Sequence, residues 1–590
     1  MCNTSWIRRA TLMLAALLVA GCARWPDSPP LLPYSRPAPK PTPKPAAKPP
    51  AKTPAKPVSR TNAVSHARTE AAKAAEVESR AEVLARYAAG VAAEAQGNLP
   101  QALSEYLEAA RQDPGNEPLV LEVAMRLLQA RQVEQALDLL QKCAARTNAS
   151  SLILGHLGWL SAQTGRTNEA LAASQRAWQL APTNFLACRT LVTYYLEQKQ
   201  PEKARPYLET AARQKVDAVY DVDLAELMLV YNRNCPAAQQ IPTNQILQVL
   251  GRSRNALADN PVYRVKLAEM YEAAGDTQTA LAMYVELLEV FAEAPPVRDG
   301  LRAKLADLYL KGGQRRQAMS QLEAFLKDHP RNAQVWYILG QLAFQERQFA
   351  QAGEWLRQAI RLNPDNEPAY YEAVGAFLST NKVAEAFEVL DLARKRFPAS
   401  FTLEYFTGLA HARKEDFASA LKAYTAAEVM AGATDPERLN AGFYFQVGVA
   451  CERLKRFEEA ATYFKKAIAL EPDFAEALNY LGYMWAEQGI HLQEARELLE
   501  RALKLEPKNA AFLDSMGWIY FKLGDLERAR SLVEQAIALS EKPDATLHDH
   551  LGDIYAALKL WDKARAEWQK ALEIEPNEEI KKKLEAAPHS

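Results

Sequence analysis

The sequence predicts an all-α fold made by stacking one small helical unit many times, and three observations predict it. Alanine returns with a period of 34: Ala102, Ala136, Ala170, Ala204, Ala280, Ala318, Ala352, Ala386, Ala420, Ala460, Ala529 and Ala564 hold the twentieth place of successive units, and Ala495 holds it after a one-residue insertion. Eight of these thirteen units have glycine at the eighth place, Gly90, Gly158, Gly340, Gly408, Gly448, Gly482, Gly517 and Gly552, and the others have Ala or Val. Small residues there let two helices approach closely. Proline closes the unit at Pro114, Pro182, Pro330, Pro364, Pro398, Pro472, Pro507 and Pro576, and proline cannot continue a helix. Each unit therefore reads as a helix pair.

The units run over 83–116, 117–150, 151–184, 185–218, 261–294, 299–332, 333–366, 367–400, 401–434, 441–474, 475–509, 510–543 and 545–578. Such an array replaces independent cores with neighbour contacts, so no single unit is expected to fold alone. Residues 61–82 are rich in Ala and Glu and prolong the first helix, Glu578 to Ala586 reads as a capping helix, and 579–590 is the capping and tail segment that follows the array. The period breaks once, at 219–260. There Leu224, Leu227, Met228 and Tyr231 mark one helix, and Ile246, Leu247, Leu250 and Leu257 mark another. This degenerate pair either keeps the stack continuous or forms a hinge or partner-docking element between an N-terminal array, 61–218, and a C-terminal array, 261–578. Pro295-Pro296 and Pro436 read as short spacers.

With 48% hydrophobic and 24% charged residues the chain is no disordered polymer. Its 71 Lys and Arg against 72 Asp and Glu give no basic excess of the kind that nucleic-acid binding needs. Residues 1–60 carry ten Lys/Arg and one Asp, leaving 61 against 71 for the rest, so an acidic body of net charge −10 follows a basic lead.

That lead reads as a targeting segment: Arg8 and Arg9, eleven uncharged residues from Ala10 to Ala20, then Gly21-Cys22. Eleven residues are too few for a bilayer, which needs about 20. Val19-Ala20-Gly21-Cys22 resembles the lipobox of bacterial lipoproteins. The resemblance implies a signal peptide over 1–21 and acylation of Cys22, whose acyl chains would anchor the protein. Ala23 after the Cys points to the outer membrane, facing the periplasm. The alternative is a secretory peptide in which Cys22 is incidental. Residues 26–57 hold 13 of the 34 prolines, with Arg36, Lys40, Lys44, Lys48, Lys52, Lys56 and Arg60 at every fourth position. The segment 22–60 is thus an extended tether, either plainly solvated or in contact with anionic cell wall or headgroups.

The unit pattern carries a second resemblance. Gly552, Tyr555, Ala564, Ala571 and Pro576 stand in the register of the tetratricopeptide repeat, and the resemblance implies a right-handed α-solenoid of about thirteen such pairs plus one degenerate pair. In that family places 2, 5, 9 and 12 face the concave groove, an extended surface for protein partners. Place 5 here is Tyr337, Tyr371, Tyr405 and Phe445, then Asn479, Asp514 and Asp549; Phe344 at place 12, with Tyr483 and Trp518 at place 9, adds aromatic surface. These ten residues are the candidate partner-binding set, since aromatic rings give large contact areas at small entropy cost. The rings equally well pack on one another to line the superhelix. The Lys and Asn pattern of the family's carboxylate clamp is absent. Residues 475–578, with Ala477-Leu478-Asn479-Tyr480-Leu481-Gly482-Tyr483, Asp514-Ser515-Met516-Gly517-Trp518 and Asp549-His550-Leu551-Gly552-Asp553, are similar to the C-terminal repeats of bacterial outer-membrane tetratricopeptide lipoproteins. Some of these proteins join an envelope protease to its substrates, and others serve secretion or polymer assembly.

Catalysis has little room. There is no P-loop, no GxGxxG after a strand, no GxSxG and no HExxH. His548 and His550 are two apart on a helix and diverge by about 200°, which argues against a metal site. Cys143, Cys188, Cys235 and Cys451 form no CxxC pair, and buried free thiols are expected. The expected function is a non-catalytic, membrane-anchored scaffold for envelope proteins or peptides, without cofactor, metal, nucleic acid or small-molecule substrate. The alternatives are a self-associating envelope component and a cell-wall-acting enzyme using Asp514, Asp549 and Asp553.

Overall fold

A computed structural model of the chain describes residues 60–588, apart from Ala258. The expected signal segment 1–21, Cys22 and all but the last residue of the tether lie outside the described residues. Among the described residues there are twenty-nine α-helices, two short 3-10 turns and no strand. None of these helices is long and apolar enough to cross a membrane.

The helices alternate as the period requires. A first helix of typically 13 residues, such as Ser151–Gln163 or Ala333–Gln345, is followed by a second of about 14, such as Thr167–Leu180 or Phe349–Leu362. Side-chain caps start many first helices: the Leu119, Ile153, Val335, Leu403 and Phe443 amides donate to Asn116, Ser150, Asn332, Ser400 and Asn440. Each such cap stabilises its helix by about 1 kcal/mol. The turn between the two helices of a pair needs a left-handed residue, supplied by Gly97 and Gly165 but also by Arg131, Lys199, Arg347, Asn381, Glu415, Lys455 and Lys559. Pro182, Pro364 and Pro507 each stand two residues beyond the end of a second helix. All thirteen period alanines are at most 4% exposed.

Two compact units divide at Gly313–Gln314, inside the repeat expected at 299–332 and not at the 219–260 segment. In the first unit that segment forms helix Ala218–Arg233, a 3-10 turn at Ala237–Gln239 and a short helix Thr243–Gly251. Its second helix is shorter than the others, yet the hydrophobic core runs unbroken through it from Cys188 to Leu308. The Asn232 side chain holds the turn by donating to the Ile241 carbonyl at 2.8 Å and accepting from the Ile241 amide at 2.7 Å. Arg252 reaches back to the Ala212 and Gln214 carbonyls at 2.9 and 3.1 Å. Pro295-Pro296 is no spacer: the two prolines open the seventeen-residue helix Pro295–Lys311, because proline at the first helical positions gives up only an amide that has no partner there.

In the second unit seven pairs follow from Ala333–Gln345 to Trp561–Ile574, and helix Glu578–Ala586 buries Ile580 against the last of them. The four described cysteines are buried and free.

Candidate functional site

The first unit contains a cavity of about 470 Å³ that the sequence reading did not anticipate. Five successive first helices build it, contributing Met125, then Leu152, His156 and Trp159, then Phe185 and Leu186, then Tyr220 and Asp223, and Tyr263. Leu152 is 51% exposed and Val216 45% exposed at its edge. Burial holds His156 below the usual histidine range, so the ring is neutral. Its Nδ1 donates to the Leu152 carbonyl at 2.9 Å, which leaves Nε2 as an acceptor. Asp223 is raised by burial, opposed by Lys266, which lies 2.7 Å away and also pairs with Glu226. The site is therefore an apolar cleft with one neutral acceptor and a neutralised carboxylate. Two of its lining residues, Leu152 and Leu186, are aliphatic at place 2 of adjacent repeats.

The ten residues expected to bind a partner all lie in the second unit, and the structure sorts them. Tyr337 and Tyr371 are buried. Tyr337 Oη donates to Glu372 Oε1 at 2.9 Å, and Tyr371 Oη to Glu367 at 2.8 Å with its ring stacked on Phe406. Tyr405 is half-buried among Phe401, Phe406, Tyr424 and Phe443, and Phe445 among Phe464, Phe474 and Tyr480. The rings thus spend much of their area on other rings, which stand at different places of the same and neighbouring helices rather than at place 5 of the next repeat. Phe344 alone of the set is exposed, at 37%.

Asn479, Asp514 and Trp518 are also buried. Asp514 and Trp518 gather with Tyr483 around His550, whose Nδ1 lies 2.9 and 3.0 Å from the Asp514 carboxylate oxygens and whose ring stacks on Trp518 at 4.1 Å. Asn479 Oδ1 and Trp518 Nε1 have no partner within the protein. Asp549 is half-buried and paired with Lys583 at 2.8 Å, as is Asp553. His548 turns the other way, to Glu567 at 2.6 Å. Ser515 Oγ donates to the Ala511 carbonyl at 2.9 Å. Among the described residues no three His, Cys, Asp or Glu side chains gather closely enough to hold a metal.

Three family profiles, each described as the tetratricopeptide repeat, match the chain: one at residues 63–117, 303–367, 405–470 and 448–510, a second at 161–228, 343–403 and 491–549, and a third at 545–578. Among curated proteins, ALBINO3-like protein 3, mitochondrial, from Arabidopsis thaliana is 26% identical over 174 residues, 30% of this chain. The match spans about a quarter of that relative's length, 27%. Among solved structures, the APC/C hetero-tetramer Cut9-Hcn1 is similar at 17% identity and a TM-score of 0.38, with 85% of this chain and 95% of that one covered. A tetratricopeptide repeat protein from Parabacteroides merdae is similar at 18% identity and a TM-score of 0.35, covering 43% of this chain and 97% of its own. MamA from Desulfovibrio magneticus follows at 20% and 0.27, covering 30% and 96%. With that repeat matched in both units and helix pairs along each match, the chain is a protein built of tetratricopeptide repeats.

Proposed function

We propose that this protein is a non-catalytic scaffold, lipid-anchored through Cys22 to the outer membrane and facing the periplasm, that holds envelope proteins or peptides along its first helices and brings a protease or an assembly machine to them. Tetratricopeptide repeats imply a protein-protein interaction role in general. The observation that carries the reading for this chain is the apolar cleft shared by five first helices of the first unit, with Leu152 and Val216 exposed at its edge. Apolar area left open to solvent costs free energy that a partner recovers on covering it, at roughly 25 cal/mol per Å².

The test is retention of envelope proteins from the source cell by the full chain in detergent, with Leu152→Glu and Val216→Glu as a double variant. Both positions are exposed, so the fold is expected to survive. A partner held by the parent and reduced about tenfold or more by the variant is the expected result, since two charges then oppose an apolar contact. Equal retention by both removes the cleft from the reading, and retention of nothing but a second copy of the chain replaces the adaptor by a self-associating component. Anchoring is tested separately: Cys22→Ser should move the chain from the membrane to the soluble fraction.

A further inference from the structure

We infer that Glu372, with the rings of Phe344 and Phe406 beside it, forms a subsite in the second unit that takes a lysine or arginine side chain of a bound partner polypeptide. The inference rests on the partner-binding reading above and deepens it.

Several carboxylates along the first helices have a cation from the chain itself. Glu94 has Arg126 at 2.8 Å, Asp223 has Lys266 at 2.7 Å, Glu272 has Lys304 at 3.0 Å, Asp307 has Lys311 at 2.6 Å and Asp549 has Lys583 at 2.8 Å. Glu372 has none. Its Oε1 receives two neutral donors, Tyr337 Oη at 2.9 Å and Gln341 Nε2 at 2.8 Å, and Gln341 Nε2 also donates to Tyr337 Oη at 2.7 Å. Both donors come from helix Ala333–Gln345, so a three-membered network fixes the carboxylate from one side. Its Oε2 takes no bond from the protein and is not sealed from solvent. Burial raises the pKa of Glu372, opposed by the Gln341 and Tyr337 bonds, and no Lys or Arg contributes. A charge so placed gains from a cation that arrives with a ligand.

The surroundings suit that cation. Gly375 lies one turn further along the same helix face, and a side chain there would meet Phe344 Cε2 at 3.6 Å and Phe406 Cε1 at 4.0 Å. The missing Cβ leaves a gap between the two rings, one helical turn along from Glu372. Aromatic faces attract ammonium and guanidinium groups, and the exposed Phe344 is the ring that a ligand reaches first. The same helix carries Glu367, bound only by the Tyr371 hydroxyl at 2.8 Å, so the local balance is acidic.

The experiment uses the full chain in detergent and a short fluorescent peptide of repeating Gly-Leu-Lys, with counterparts in which norleucine or glutamate replaces lysine. Fluorescence anisotropy should show the lysine peptide bound more tightly than either counterpart. Glu372→Gln should weaken it by about tenfold, the worth of one charge-assisted bond. Phe344→Ala, at an exposed site, should weaken it about threefold. Glu497→Gln removes the same charge from an exposed position and should change nothing. Equal binding to the parent and Glu372→Gln overturns the inference, as does an equal loss with Glu497→Gln, which would mean attraction to the acidic body at large. If the lysine and norleucine peptides bind alike and both weaken in Phe344→Ala, the cation subsite falls and the groove reading stands. If no peptide binds, both fall.

Discussion

Tyr424→Ala is expected to cost the second unit about 3 to 5 kcal/mol, whereas Tyr424→Phe should cost nothing or stabilise by about 1 kcal/mol. Tyr424 holds the twenty-fourth place of its repeat and is wholly buried. Its ring lies against the glycine of the eighth place so closely that a Cβ on Gly408 would stand 2.3 Å from Tyr424 Cε1. Phe443 meets it edge-on at 6.3 Å and Tyr405 at 6.1 Å. Truncation therefore removes a full ring from a tightly packed joint. The hydroxyl is another matter, for it is buried with no partner in the protein, and burial pushes its pKa up. The reason lies in the sequence of the repeats. Tyr106 and Tyr284 hold the same place in their own repeats and donate to Glu94 at 2.7 Å and Glu272 at 3.1 Å, each at the twelfth place; the repeat of Tyr424 has Ala412 there. Tyr106→Phe should accordingly cost about 1 kcal/mol, opposite in sign to Tyr424→Phe. Chemical denaturation of the full chain measures both, and equal effects of the two Phe variants would refute the argument.

This joint shows why the repeat was legible in the sequence. Gly408 and Tyr424 are sixteen residues apart, Ala420 packs within the same pair, and everything that fixes the register is local to one unit. Contacts between repeats are less legible. The place-5 series Tyr337, Tyr371, Tyr405, Phe445 is plain in the sequence, but whether a ring meets solvent or its neighbour depends on side-chain direction across two helices. Glu372 gave no signal at all, since its distinction is the lack of a cation rather than the presence of a motif. The cleft around Trp159 is illegible for a different reason: its lining is drawn from several places of five helix pairs, and no single place marks it. His548 and His550 do diverge, as their spacing requires, and each finds a carboxylate of its own. That Asp514, thirty-six residues earlier, is the partner of His550 follows from one first helix lying on the next.

The Asp514–His550 pair carries the second large effect, and it has a sign. Both side chains are buried, and His550 is walled by Asp514, Trp518 and Tyr483 with Glu487 and Asp549 also acting on it. Burial opposes the charged ring, but Asp514 above all, then Glu487 and Asp549, more than offset it, so the pKa is raised. A group raised in the folded state stabilises fully below its unfolded value, about 6.5 for histidine, and that contribution is lost as pH rises through the folded value above it. Asp514→Ala should therefore cost about 3 kcal/mol near pH 6, where the parent holds a charged pair and the variant must either bury a cation without that partner or give up its proton. The cost should shrink as pH rises, because His550 then loses its proton in both proteins. His156 in the first unit provides the contrast: burial lowers its pKa, so its contribution is present above about pH 6.5 and is lost as pH falls. The two units should respond to pH in opposite directions at these residues. Melting curves of the parent, Asp514→Asn and His156→Gln across that range separate the terms. If the parent and Asp514→Asn lose stability alike as pH rises above 6.5, the buried ring is not the charged half of a pair, and the stacking of Trp518 on His550 must hold the last repeats together without it.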